Sequence, residues 1–195
     1  MGKKSKGSVR AAARKLKDKW KSKTWYSIMA PDMFKGVEVA QTISDDPAKL
    51  VGRHTDVSLQ DLTSDYSKMH IKLRFRVYHV EGSQAFSKFV GHDITSDYMR
   101  RQTRRKRSKI DAIIDVRTRD GYRMRIKPSA FTDRRIQSSQ QKAIRTRMST
   151  LFQEQASKKS MSALVSEMLS GTLTSYVFKN SVKIYPIKRV EVRKS

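Results

Sequence analysis

The sequence predicts an α+β fold, with an antiparallel, barrel-like sheet, flanking C-terminal helices and a basic N-terminal tail. Three observations carry that reading. Residues 68–80 alternate apolar and basic side chains with a period of two, the pattern of a strand with one buried face. Asp120-Gly121 stands between two more alternating segments, a strong hairpin signal. Beyond Pro128 the apolar spacing changes to three and four, the period of an amphipathic helix. Strands first and helices after is the α+β order.

Residues 1–22 are basic and offer little apolar surface to bury, so they read as a tail that orders only on a polyanion. Residues 23–195 read as a single α+β domain. Thr24–Ala30, rich in β-branched and aromatic residues, predicts a strand ending at Pro31. Gly36–Ile43 predicts a second strand and Leu50–Leu59 a third, with Gly52 as a bulge. In the fourth, Met69, Ile71, Leu73, Phe75 and Val77 point to the core, and Lys68, His70, Lys72, Arg74 and Arg76 point outward. Glu81-Gly82-Ser83-Gln84 turns the chain into Ala85–Val90, which Gly91 should end.

Thr95-Ser96-Asp97 supplies cap chemistry for a helix from about Tyr98. Seven of the ten residues from Arg100 to Lys109 are basic, so this helix is polar on nearly every face. Only Tyr98 and Met99 are available to pack it, which predicts a weakly held element. Ile110, Ala112, Ile114 and Val116 then face inward on a strand, and Tyr122, Met124 and Ile126 face inward on its return. Arg117, Arg119, Arg123, Arg125 and Lys127 fall on the opposite side. Ser139–Ser157 predicts an amphipathic helix through Ala143, Ile144, Met148, Leu151, Phe152 and Gln155. Ser160 caps a second helix that Gly171 stops, and residues 174–180 predict a third. Ile187, Val190 and Val192 mark an edge or docking strand.

The net charge is +25, from 43 lysines and arginines against 18 acids. Such an excess calls for a polyanionic partner, most simply nucleic acid. No apolar run approaches the roughly 20 residues of a membrane span, and MGKKSKGSVR has no apolar core of a secretory signal. Membrane and small-molecule partners are therefore not expected, and an intracellular protein is. With no cysteine, disulfides and thiolate zinc sites are excluded.

No enzyme motif is present. His54, His70, His79 and His92 lack ligand spacing, so no metal or cofactor is expected. Asp56, Asp61 and Asp65 match no nuclease pattern, while Asp111 and Asp115 lie among arginines that should pair with them. Trp25, Tyr26 and Tyr122 suit base stacking or the core, and the pattern does not choose. Charge alone also fits a free RNA chaperone or a DNA-compacting protein.

Six blocks, in order, resemble one family. They are Trp25-Tyr26 through Ala30-Pro31 with Phe34; Gly52-Arg53 with Ser58-Leu59-Gln60-Asp61-Leu62; FVGHDITSDYMR; RRKRSKIDAIIDVRTRDGYRMRIKP; RRIQSSQQKAIR; and KIYPIKRVEV. The chain thereby resembles the archaeal and eukaryotic small-subunit ribosomal protein family S-three-a, in its shorter archaeal form. His54 and Asp56 depart from the family pattern, where an aliphatic residue and a glutamate are expected.

The resemblance implies a cytoplasmic, non-catalytic constituent of the small ribosomal subunit. It implies a place on the platform near the messenger exit and the 3′ end of the small-subunit RNA. The expected partners are that RNA and neighbouring platform proteins, with room for direct contact to messenger RNA. Phosphate contacts are expected from Arg100, Arg101, Arg104, Arg105, Lys106, Arg107 and Lys109, and from Arg117, Arg119, Arg123 and Arg125 on the hairpin. Lys72, Arg74 and Arg76 are a second rank.

Overall fold

The computed structural model describes residues 20–195. The expected tail falls almost wholly outside them. Among the described residues the fold is α+β, with nine strands in a mostly antiparallel sheet that stays open. No helix among them is long and apolar enough to cross a membrane. Contacts divide the chain into two compact units.

The first unit takes the described residues up to Val57, with Asp61–Thr63 and Arg74–Val90. It contains β1 (Thr24–Met29), β2 (Glu38–Ser44), most of β3 (His54–Ser58), and the larger parts of β4 (Ile71–Glu81) and β5 (Gln84–Ile94). β1 is central, antiparallel to β2 and parallel to β5. Tyr26, Ile28, Leu50, Val77 and Ala85 form one buried cluster. Phe34 meets Phe75 edge-on, their ring centres 5.5 Å apart, and both touch Phe89. The expected third strand begins only at His54. Pro47–Leu50 is a 3-10 turn that sinks Leu50 into the core, and Gly52, at φ +90°, belongs to the following turn and not to a bulge.

The second unit is Ser58–Gln60, Ser64–Leu73 and Gly91–Ser195. It holds α2 (Ser96–Gln102), β6 (Lys109–Asp111), β7 (Ile114–Arg117), β8 (Arg123–Thr132), α3 (Ser138–Lys158), α4 (Met161–Ser170), α5 (Thr172–Ser181) and β9 (Ile187–Lys194). Leu59–Thr63, shared between the two units, is a short α1. Ile144, Met148, Leu151, Phe152 and Ala156 make the buried stripe of α3, and Ala143 lies outside it. As expected, the Ser160 hydroxyl accepts from the Ala163 N–H at the start of α4, and Gly171 ends that helix at φ +87°.

Three expectations are corrected. Met69 is 64 % exposed, because Tyr66–Lys68 forms a 3-10 turn and β4 starts at Ile71. β5 does not end at Gly91 but continues to Ile94. A Cβ on Gly91 would lie 2.2 Å from the Ser195 carbonyl oxygen, so the glycine serves close backbone approach. β8 runs through Pro128, whose missing N–H coincides with a register shift against β9. Of the two readings of the last strand, edge or docking, the second holds: β9 docks between β5 and β8 and buries Ile187, Val190 and Val192.

Candidate nucleic-acid interface

The basic stretch 98–127 lies wholly in the second unit and consists of three parts. Its first part is α2, which is held by its first turn. Met99 is buried, and the Tyr98 ring stacks on His70 at 3.9 Å with an interplanar angle of 11°. The Tyr98 hydroxyl donates to Glu191 Oε1 at 3.2 Å, and Arg189 Nε donates to the same oxygen at 2.6 Å. The Arg189 guanidinium also lies 5.8 Å from the Tyr98 ring centre. Burial lowers the His70 pKa and raises that of Tyr98, so both rings stay neutral near pH 7.

The helix does not carry the whole arginine cluster. It stops at Gln102, and Thr103 turns extended while its N–H bonds to the carbonyls of Met99 and Arg100. A continuing helix would set Arg100, Arg101, Arg104, Arg105 and Arg107 at spacings of three and four, where like charges repel. Arg104–Ser108 is instead a loop in which Lys106 adopts φ +62°. Arg100, Arg101, Arg104, Arg105 and Lys106 are exposed. Arg107 is half-buried, 3.6 Å from Asp133, and Lys109 lies 3.0 Å from Asp111. Ser108 closes the loop onto β8: its N–H donates to the Thr132 hydroxyl and its hydroxyl accepts from the Ile136 N–H.

The third part is the β7–β8 hairpin. Thr118 and Tyr122 close a loop of Arg119, Asp120 and Gly121, with Gly121 at φ +83°, a three-residue turn with a glycine in the left-handed region. Ile110, Ala112, Ile114, Val116 and Ile126 are buried as their alternation required, under α3. Tyr122 was expected inward but is 60 % exposed, because the tip projects beyond the core. The tip is nevertheless anchored: Asp120 Oδ2 accepts the Met161 N–H at 3.0 Å, and the Arg119 N–H donates to the Lys159 carbonyl.

On the outer face, Arg117 stands directly opposite Arg123, and Asp115 opposite Arg125. Asp115 takes two hydrogen bonds from Arg125, at 2.6 and 2.9 Å, which hold its carboxyl below its ordinary pKa. A shallow concavity lined by Asp115, Val116, Arg117, Arg123, Met124 and Arg125 lies on this hairpin.

The second-rank residues Lys72, Arg74 and Arg76 are alternate, exposed residues of β4. Lys72 belongs to the second unit; Arg74 and Arg76 belong to the first. Arg74 makes a bidentate pair with Asp56, both bonds 2.7 Å.

Charge is distributed unequally. The second unit has 27 lysines and arginines against 10 acids, a net of +17; the first, over its described residues, has eight against seven, a net of +1. Part of that excess was overlooked in the sequence. From Arg134 to Gln153 there is no acid, and Arg134, Arg135, Lys142, Arg145 and Arg147 are all exposed. A scan for acid-free runs finds this segment, whereas a scan for dense basic clusters does not.

Several carboxylates and imidazoles are engaged in local structure. Asp65 accepts from the Ser67 N–H and hydroxyl, and His92 is buried between the Ser195 hydroxyl and the Val192 carbonyl. Among the described residues no group of three or more such side chains is placed to hold a metal.

The model of the ribosomal S3Ae family matches residues 11–195. Small ribosomal subunit protein eS1 of Methanopyrus kandleri is 45 % identical over 184 residues, covering 92 % of this chain and 87 % of that protein. The protein of the same name from Methanothermobacter thermautotrophicus is 41 % identical over 187 residues, 96 % of each chain. That from Methanothrix thermoacetophila is 41 % identical over 187 residues, covering 96 % of this chain and 88 % of its own.

Proposed function

The chain belongs to the ribosomal S3Ae family, and on that premise we propose that it is a structural, non-catalytic constituent of the small ribosomal subunit in the cytoplasm. Its second unit neutralises and fixes folded ribosomal RNA. The observation that carries this is the +17 on that unit, gathered around a loop and a ribbon whose outer cations lie on a pinned backbone. Exposed arginines on an anchored ribbon fit phosphates bidentately without ordering a flexible loop first. The primary contacts are Arg100, Arg101, Arg104, Arg105 and Lys106 with Arg117, Arg119 and Arg123. Arg107, Lys109 and Arg125 hold intramolecular acids at 3.6 Å or less and contribute less, whereas Arg100 and Arg119 lie only loosely, at 3.8 and 3.9 Å, against Asp97 and Asp120. The family resemblance supports a platform position near the messenger exit and the RNA 3′ end, beside other platform proteins.

Sedimentation tests this reading. The tagged chain travels with small subunits at moderate salt; recovery with nuclease-sensitive nucleoid instead would make it a free DNA-compacting protein. Neutralising Arg104, Arg105 and Lys106 together lowers the salt slope of RNA binding by about 2 to 3, since each phosphate contact contributes roughly 0.7–0.9. An unchanged slope removes the loop from the interface.

A further inference from the structure

The outer sheet face of the first unit has a different character from the RNA-binding surfaces. In a sheet with one solvated face, outward side chains are polar. Here β1 presents Trp25 and Met29 outward while Tyr26 and Ile28 fill the core. β5 presents Phe86 and Val90 outward while Ala85 and Phe89 are buried. The pairings join these residues across strands, Trp25 to Ile43 of β2 and Met29 to Phe86 of β5. Tyr78 adds a ring to the same face, with Lys88 Nζ 4.5 Å from its centre. Trp25 is 64 % exposed, and Tyr78 and Val90 are about half exposed, at 48 and 49 %. Large apolar side chains on a solvated face, here interspersed with Ser27, Gln84 and Lys88, mark a surface that a partner covers.

What covers this face is decided by charge. A polyanion needs a cationic surface, yet this unit is nearly neutral over its described residues in a chain of +25. Two cations of the face are also engaged within it, Arg74 by Asp56 and Lys88 by the Tyr78 ring. We infer that this face is a docking surface for a neighbouring protein of the small subunit, one presenting an apolar segment of low net charge, and not for RNA. The inference rests on the small-subunit reading above and adds a second, chemically distinct interface to it.

The test is site-directed photocrosslinking in purified small subunits. Trp25→p-benzoylphenylalanine places the probe on the face, and Arg104→p-benzoylphenylalanine places it in the basic loop. The expected result at Trp25 is an adduct that resists nuclease, is lost on protease treatment and maps to an apolar segment of one subunit protein. The expected result at Arg104 is an adduct to RNA. An RNA adduct at Trp25, an adduct to this chain itself, or no adduct there while Arg104 crosslinks overturns the docking surface and leaves the ribosomal reading standing. If the native chain does not travel with small subunits, the ribosomal reading fails, and the docking proposal with it.

Discussion

Arg117 and Arg123 face each other across the β7–β8 ribbon, and neither is paired with a carboxylate among the described residues. Like charges directly opposite on a sheet destabilise it. The next pair along the ribbon, Asp115 with Arg125, has the complementary charges that the first pair lacks. Folding therefore preserves a local repulsion that a phosphate bound there would relieve.

Replacing both arginines, Arg117→Gln with Arg123→Gln, should thus separate stability from binding. The free protein is expected to melt at the same temperature or a few degrees higher. The salt slope for RNA should fall by about 1.4 to 1.8. Thermal denaturation and a salt titration of binding measure the two. A destabilised protein with an unchanged slope would show that the pair serves the fold and not the ligand.

Asp115→Asn should act in the opposite direction on binding. It frees Arg125 and removes a negative charge from the face, so affinity should rise at low salt and the slope should steepen by up to about 0.9. Its stability effect depends on pH. The folded Asp115 has a lowered pKa, so in acid the unfolded chain takes up the proton first. The stabilisation by Asp115 is then complete above the unfolded value of about 3.9 and disappears as pH falls through the lower folded value. The difference between native and variant stability should be present at pH 7 and vanish in strong acid. A gap that persists at low pH would rule out the carboxylate as its source.

The His70–Tyr98 stack makes α2 sensitive to pH from the other direction. Burial lowers the folded His70 pKa, so the unfolded chain binds the proton first as pH drops below about 6.5. The stack's contribution is complete above that value and lost as pH falls through the folded one. Arg189, facing the same ring system, opposes protonation, and Glu191 favours it. Hydrogen exchange of amides 96–102 should therefore accelerate on going from pH 7 to pH 5, after correction for intrinsic rates. Tyr98→Ala should accelerate it at both, and His70→Phe should remove the pH dependence. If His70→Phe retains it, another group controls the helix.

Gly91→Ala is expected to cost about 1–3 kcal/mol, the cost of forcing extra volume into a packed contact. The added methyl would meet the Ser195 carbonyl, a backbone atom that cannot move without disturbing the pairing of β5 with β9 and the bonds that satisfy His92. Chemical denaturation gives the number. A loss below about 0.5 kcal/mol would mean that residues 192–195 yield easily.

Much of the secondary structure was legible. The strict alternation of burial over Ile71–Val77 and Ile110–Thr118, the Asp120-Gly121 turn, and the Ser160 and Gly171 boundaries of α4 all appear where local chemistry placed them, although the single strand expected over 110–118 is divided into β6 and β7. These signals depend on residues within a turn or two of one another. The misplacements came where a distant partner decided the outcome. Pro128 reads as a boundary until β9 supplies a register shift to hold it, and Gly91 reads as a stop until Ser195 lies against it. Tyr122 has inward parity, but parity does not reveal that the core ends before the hairpin does.

The candidate site divides in the same way. The sequence alone determined that the chain is strongly cationic, that the cations cluster between Arg100 and Arg125, and, through its motifs, the family to which it belongs. Only the tertiary structure decided which cations remain available. Strand register set Arg117 against Arg123 and gave Arg125 to Asp115, while folding left one unit at +17 and the other, over its described residues, near neutral. The physical reason is that a residue's charge is local, whereas the carboxylate that neutralises it arrives from another strand. A composition count adds the charges; only the register pairs them.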